Sequence, residues 1–163
     1  MAGAYSLALG GATLANQAVT LTFVNPIGAP NSDLIFKRFW VGQSNNMASA
    51  QQRVQINTQV TVFPTLVSAT PAKLWNAGGA SGLTGGTAGA AGTSGINASA
   101  EGAGAKTVIW NDVFNVINGW LLVLTPDEEI EQSAGSASGI GLHLPAAPGT
   151  LTNWAFGSTW AEG

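Results

Sequence analysis

The sequence predicts an all-β fold, a single-domain β-sandwich or jelly roll spanning residues 1–163, and three observations carry that prediction. Short segments alternate apolar and polar side chains with a period of two, turn-forming residues separate them at close intervals, and no stretch shows the apolar spacing of an amphipathic helix. Many short strands punctuated this way are what a two-sheet sandwich or jelly roll requires.

Val19, Leu21 and Phe23 alternate with Thr20 and Thr22, which is strand patterning. Asn25 to Asn31 is dense in Pro, Gly and Asn and reads as a turn. From Leu34 to Gly42 apolar side chains nearly fill both faces, as expected of a central strand. Ser44 to Ala50 reads as a loop. Gln52, Val54 and Ile56 alternate with Arg53 and Gln55 as the next strand, and Val60 to Phe63 reads as a further one before Pro64 and Pro71 interrupt the pattern.

The composition then changes. Residues 76–106 are almost wholly Gly, Ala, Ser and Thr, with Leu83 and Ile96 as the large apolar side chains. Side chains this small bury too little area to offset the entropy of ordering, so the segment reads as an extended Gly-rich loop or arm leaving the core. It is either a flexible loop or an arm that orders on a neighbouring subunit. Trp75, on its threshold, together with Leu83 and Ile96, is the expected set of partner contacts.

Ordered structure restarts at Thr107 to Trp110, and Asp112 to Asn118 fits either a short strand or a helical turn. Trp120 to Leu124 is a strand ended by Thr125-Pro126, and Glu129 to Gln132 alternates like an edge strand ahead of a Gly135 to Gly139 turn. Ile140, Leu142 and Leu144 form one face of another strand, and Trp154, Phe156 and Trp160 one face of the last.

Charged residues are 8% of the chain, against about a quarter in ordinary globular proteins. A surface so neutral packs against protein with little desolvation cost and repels its neighbours weakly, which favours an assembly component. Lys37, Arg38, Arg53, Lys73 and Lys106 are scattered, so no nucleic-acid footprint is expected. Cysteine is absent, which removes disulfides, zinc-thiolate sites and thiol nucleophiles. Neither a signal peptide nor a membrane span is expected, because the amino terminus has no basic region and the longest apolar run, Trp120 to Leu124, is far below the ~20 residues a span needs.

Candidate chemistry is sparse. The single histidine, His143, lacks a recognisable nucleophile and reads as a surface or interface residue. Asp127, Glu128, Glu129 and Glu131 are hard oxygen ligands in principle, but their spacing is not that of a calcium loop, and a solvated turn beside an edge strand accounts for them. Asp33, Asp112 and Glu162 would have to converge to act as paired carboxylates, and no pattern selects them. The Gly-rich stretch lacks the order of a phosphate-binding loop. Six tryptophans suit core packing, interface anchoring or a carbohydrate platform. The expectation is a binding protein with no catalytic residue, cofactor or metal.

Taken in order, a Thr-rich amino-terminal strand, Leu34 to Gly42 with its Ser-Asn-Asn loop, the Gln/Thr strands around Val54 to Val62, Thr70-Pro71, a Gly/Ala/Thr loop, Trp120 to Pro126, a Gly-Ile-Gly-Leu strand and the ending Trp160-Ala161-Glu162 resemble the jelly-roll or β-sandwich capsid decoration (cement) proteins of tailed phages. That resemblance implies a virion protein, made in the host cytoplasm, that sits on the outside of an icosahedral shell and bridges subunits of the major capsid protein. It also implies a homo-oligomer, with a trimer as the first expectation. The competing readings are a tail-associated or adhesion module that binds a surface ligand, and a self-assembling fibre or surface-layer subunit.

Overall fold

A computed structural model describes residues 3–26, 33–45, 48–74, 79–134 and 136–163. Its strands are β1 (Gly3–Ala12), β2 (Val19–Asn25), β3 (Leu34–Gln43), β4 (Gln51–Val60), β5 (Thr65–Ser68), β6 (Ala72–Lys73), β7 (Thr84–Gly85), β8 (Thr93–Ala100), β9 (Lys106–Asn115), β10 (Trp120–Val123), β11 (Ile130–Gln132), β12 (Ser138–Leu144) and β13 (Trp154–Glu162). No helix occurs among the described residues.

Two sheets pack face to face. The first runs β10-β3-β13-β1-β6, with β11 also paired to β3, and the second runs β5-β8-β2-β12-β4-β9, with β7 beside β8. All pairs are antiparallel except the short β7–β8 contact. The pairing nests the chain ends inward: β1 lies on β13, β2 on β12, β3 on β10 and β11, and β4 on β9. A long antiparallel ribbon folded over itself in that way is a jelly roll, which is one form of β-sandwich.

One apolar cluster fills the space between the sheets. Leu34, Phe36, Phe39, Val41, Trp154, Phe156 and Trp160 enter it from the first sheet; Val19, Leu21, Val54, Ile56, Ile140, Leu142 and Leu144 enter from the second. Phe36 and Phe39 are three positions apart, yet both point inward and stack at 5.3 Å. A register shift makes this possible: Trp160 pairs with Phe36 and Thr159 with Arg38, so Lys37 is the extra residue of a bulge. The expectation of a central β3 holds, with one face in the core and an outer face carrying half-buried Ile35 and Trp40.

Three readings are changed or decided by the structure. Val60 to Phe63 is not a separate strand: Val60 ends β4, and Thr61 turns the chain with φ 64°. The open choice at Asp112 to Asn118 resolves as strand through Asn115 and turn beyond it.

The third concerns 76–106, of which 76–78 lie outside the described residues. The segment is not an arm leaving the core. It belongs to the long connection between β4 and β9, which adds β8 and β5 to the β2 edge of the second sheet. Leu83 is 1% exposed and Ile96 6%, both in the main core. Small side chains are what this packing needs. A Cβ on Gly95 would stand 2.7 Å from the Leu66 Cβ and 2.9 Å from the Gly86 carbonyl oxygen. The backbone ladder and its larger neighbours supply the buried area that Gly, Ser and Ala do not.

Candidate functional site

The same connection folds over the outer face of the second sheet. Alternation puts Phe23 on the face of Val19 and Leu21, but the register shift against β12 at Leu21 turns it outward from β2, where Leu66, Ala98 and Phe63 cover it and leave it 1% exposed. Asn25 donates its side-chain amide to the Gly89 carbonyl at 2.9 Å. Where the connection returns toward β9, Glu101 makes a polar clasp: its carboxylate accepts from the Thr20 backbone N–H, from the Thr20 hydroxyl at 2.8 Å and from Lys106, and lies 3.1 Å from His143 Nε2. Burial alone would push the Glu101 carboxyl up, but the donors from His143, Lys106 and Thr20 outweigh it and hold the group down at about 2.

His143 is therefore not a surface residue. It is 5% exposed, its Nδ1 has no hydrogen-bond partner, and the connection covers it. The signal for burial was in the glycines around it, since Gly139 and Gly141 leave room on that face for Phe23 and Thr20 of β2. The hydroxyl of Thr20, which pairs with His143 across the strands, bonds to Glu101. The three groups act as a weld between the connection and the sheet.

The three carboxylates considered as a catalytic set are committed elsewhere. Asp33 accepts from the Ala134 N–H at 3.2 Å. Asp112 accepts from the Trp120 indole at 3.0 Å, tying β9 to β10 across the open end of the sandwich. Glu162 is buried and accepts from Ser81, from the Gly82 N–H at 3.1 Å and from the Trp160 indole at 3.3 Å, which seats Leu83 in the core. In the acidic turn, Glu129 pairs with Lys37 and Glu128 accepts from Thr125 at 3.0 Å, while β11 is an edge strand paired to β3. Among the described residues no group of three or more His, Asp or Glu is placed to hold a metal ion.

The first sheet is different on its outer face. Strand register places Leu121, Trp40, Gly157 and Ala8 in one row across β10, β3, β13 and β1, and Val123, Arg38, Thr159 and Ser6 in the next. No segment of the described chain crosses these rows. The Trp40 ring reclines over Gly157: a Cβ there would meet the indole Cζ2 at 2.1 Å, so only glycine lets the ring lie down. Trp40 and Leu121 form a ridge between two hollows of about 540 Å³ and 410 Å³.

That face continues around an apolar edge. Of the ten large apolar side chains exposed among the described residues, seven lie between Val108 and Val123: Val108, Ile109, Trp110 and Val113 on β9, Ile117 in the turn, and Leu121 and Val123 on β10. Strands β9 and β10 end their respective sheets, so each also presents unpaired backbone groups. A bulge at Ile109 twists β9 where it passes from Trp110 to Val108.

Leu83 and Ile96, expected as partner contacts, are thus core residues, and Trp75 lies outside the described residues. Trp154 and Trp160 are fully buried, Trp40 and Trp120 are half-buried, and Trp110 is 36% exposed. Trp40, Trp110 and Leu121 are the surface residues that sequence reasoning missed. Their signal was an apolar run on both faces of β3, β9 and β10, which marks either a buried strand or an uncovered one. Comparison with protein-family models, curated proteins and solved structures finds no match.

Proposed function

We propose that this chain is a structural protein of a virus particle, which binds the outer surface of the capsid and bridges neighbouring major capsid subunits to stabilise the shell. The observation that carries the reading is the uncovered, nearly uncharged face of the first sheet, continuous with the apolar β9–β10 edge. Surfaces of that kind are either interfaces or aggregation hazards, and a chain with so little charge has weak protection against the second. The jelly roll supports the reading only by analogy, since the same architecture serves capsids, lectins and cupins. No catalysis is assigned in this reading. The protein acts as a homo-oligomer, a trimer being the first expectation, on the virion surface after synthesis in the host cytoplasm.

The test is co-sedimentation of purified protein with empty tailed-phage shells, alongside its mass by light scattering. Saturable binding at a fixed ratio to the major capsid subunit is the expected result, and that ratio reports the symmetry position occupied. The exposed edge of β9 favours a second reading, a tail-associated, fibre or adhesion module, because an open strand is able to template pairing with another chain. Filaments formed by the protein alone, or glycan binding without shell binding, would select it.

A further inference from the structure

We infer that the larger hollow on the first sheet is a docking groove for an extended, acidic segment of the partner protein, with apolar side chains at the two ends of the segment and a carboxylate between them. The inference rests on the reading of this face as a protein interface. Leu121 stands at one end of the hollow and Leu74 at the other, with Trp40 and Arg38 between them and the hydroxyls of Ser6 and Thr159 on its floor. From Leu121 on β10 to Leu74 at the end of β6 the groove crosses four interstrand spacings, or about 19 Å. An extended chain covers that span in about six residue rises, so side chains at i and i+6 face the groove together with one at i+2.

Charge complementarity names the central group. Arg38 is exposed on this face and no carboxylate among the described residues pairs with it. Its own row holds Val123, Thr159 and Ser6, the row on one side Leu121, Trp40, Gly157 and Ala8, and the row on the other side Glu131, Ile35, Ala161 and Ala4. Glu131 stands on β11 outside the hollow, whose lining holds Arg38 as its one charged side chain. A guanidinium in such surroundings fits a carboxylate in a bidentate, charge-assisted pair, and the apolar flanks reduce the competition from water. The leucines at both ends offer nothing to sugar hydroxyls, which is why a peptide fits the groove better than an acidic sugar.

The test titrates the ¹⁵N-labelled protein with acetyl-Leu-Ser-Asp-Ser-Ser-Ser-Leu-amide and with its Asn counterpart, following the Trp40 indole and Arg38 guanidinium signals by NMR. Saturable shifts at both groups, with the acidic peptide binding about tenfold tighter than the Asn peptide, are expected, as is loss of that difference in Arg38→Gln. No shifts, equal binding of the two peptides, or shifts produced by glucuronic acid in preference to the peptide would overturn the inference. A parallel arm compares the wild type with Arg38→Glu on empty shells. Binding of the wild type with loss in the variant supports the groove as the contact. Equal binding removes the groove while leaving shell binding intact. A wild type that ignores shells yet discriminates between the peptides keeps the groove and removes the capsid reading.

Discussion

The two sheets have outer faces with opposite fates. Over β2 and β12 of the second sheet, the chain supplies its own cover: Phe23 disappears beneath Leu66, Ala98 and Phe63, and Glu101 welds the covering segment to Thr20 and His143. Across the first sheet, the corresponding surface consists of small side chains around a reclining Trp40 and stays open. The same architecture therefore yields one face that contributes to stability and another whose apolar area is left for a partner. Substitutions on the covered face are expected to unfold the protein, and those on the open face to change only what it binds.

Phe23→Ala breaks the covered face most severely. Removing a fully buried aromatic ring is expected to cost about 3–5 kcal/mol, read as a lower midpoint in urea denaturation. Loss of hydrogen-exchange protection over β5 and β8 should exceed that over β13 if the cover opens first.

Glu101→Gln tests the clasp. Leaving Lys106 and His143 partly buried without their carboxylate is expected to cost about 2 kcal/mol, discounted for the solvent that reaches the group. The pH dependence has a definite sign. Glu101 titrates at about 2 in the folded protein against an ordinary value of 4.5, so its contribution is complete above 4.5 and is lost as pH falls toward 2. Wild-type stability should decline through that window relative to Glu101→Gln, and the two curves should converge at the acid end. Parallel curves would mean that the clasp contributes nothing.

Gly157→Ala is the intermediate case. A methyl there collides with Trp40 and stands 2.7 Å from the Leu7 carbonyl oxygen, so about 1–2 kcal/mol of destabilisation should accompany a shift in Trp40 fluorescence as the ring is lifted. On the open face and edge, Leu121→Ser and Val113→Lys should change stability by no more than about 0.5 kcal/mol. Both side chains are more than half exposed, at 62% and 52%. What they should reduce is association, measured by light scattering and by shell co-sedimentation. A large loss of stability from either would show that the face is structural and would erase the contrast between the sheets.

Local alternation was enough to predict the strands, the all-β class and much of the core, including Trp154, Phe156 and Trp160, because neighbouring side chains on a strand must point to opposite faces whatever it pairs with. Alternation does not say whether a given face will be covered. That depends on pairing between distant segments, such as Thr22 with Ile96 and His143 with Thr20, which only the folded chain establishes. The Gly-rich stretch was misread for the same reason. Its composition was weighed by the area its own side chains bury, whereas its place in the fold comes from a backbone ladder and from Phe23 and Leu66, which lie outside it. The sequence alone thus determined the all-β class and the alternation within regular stretches of strand, because those are local properties, while the bulges that move Phe39 inward and Phe23 outward come from pairing. The tertiary structure decided which face stays open, because cover is supplied from far along the chain.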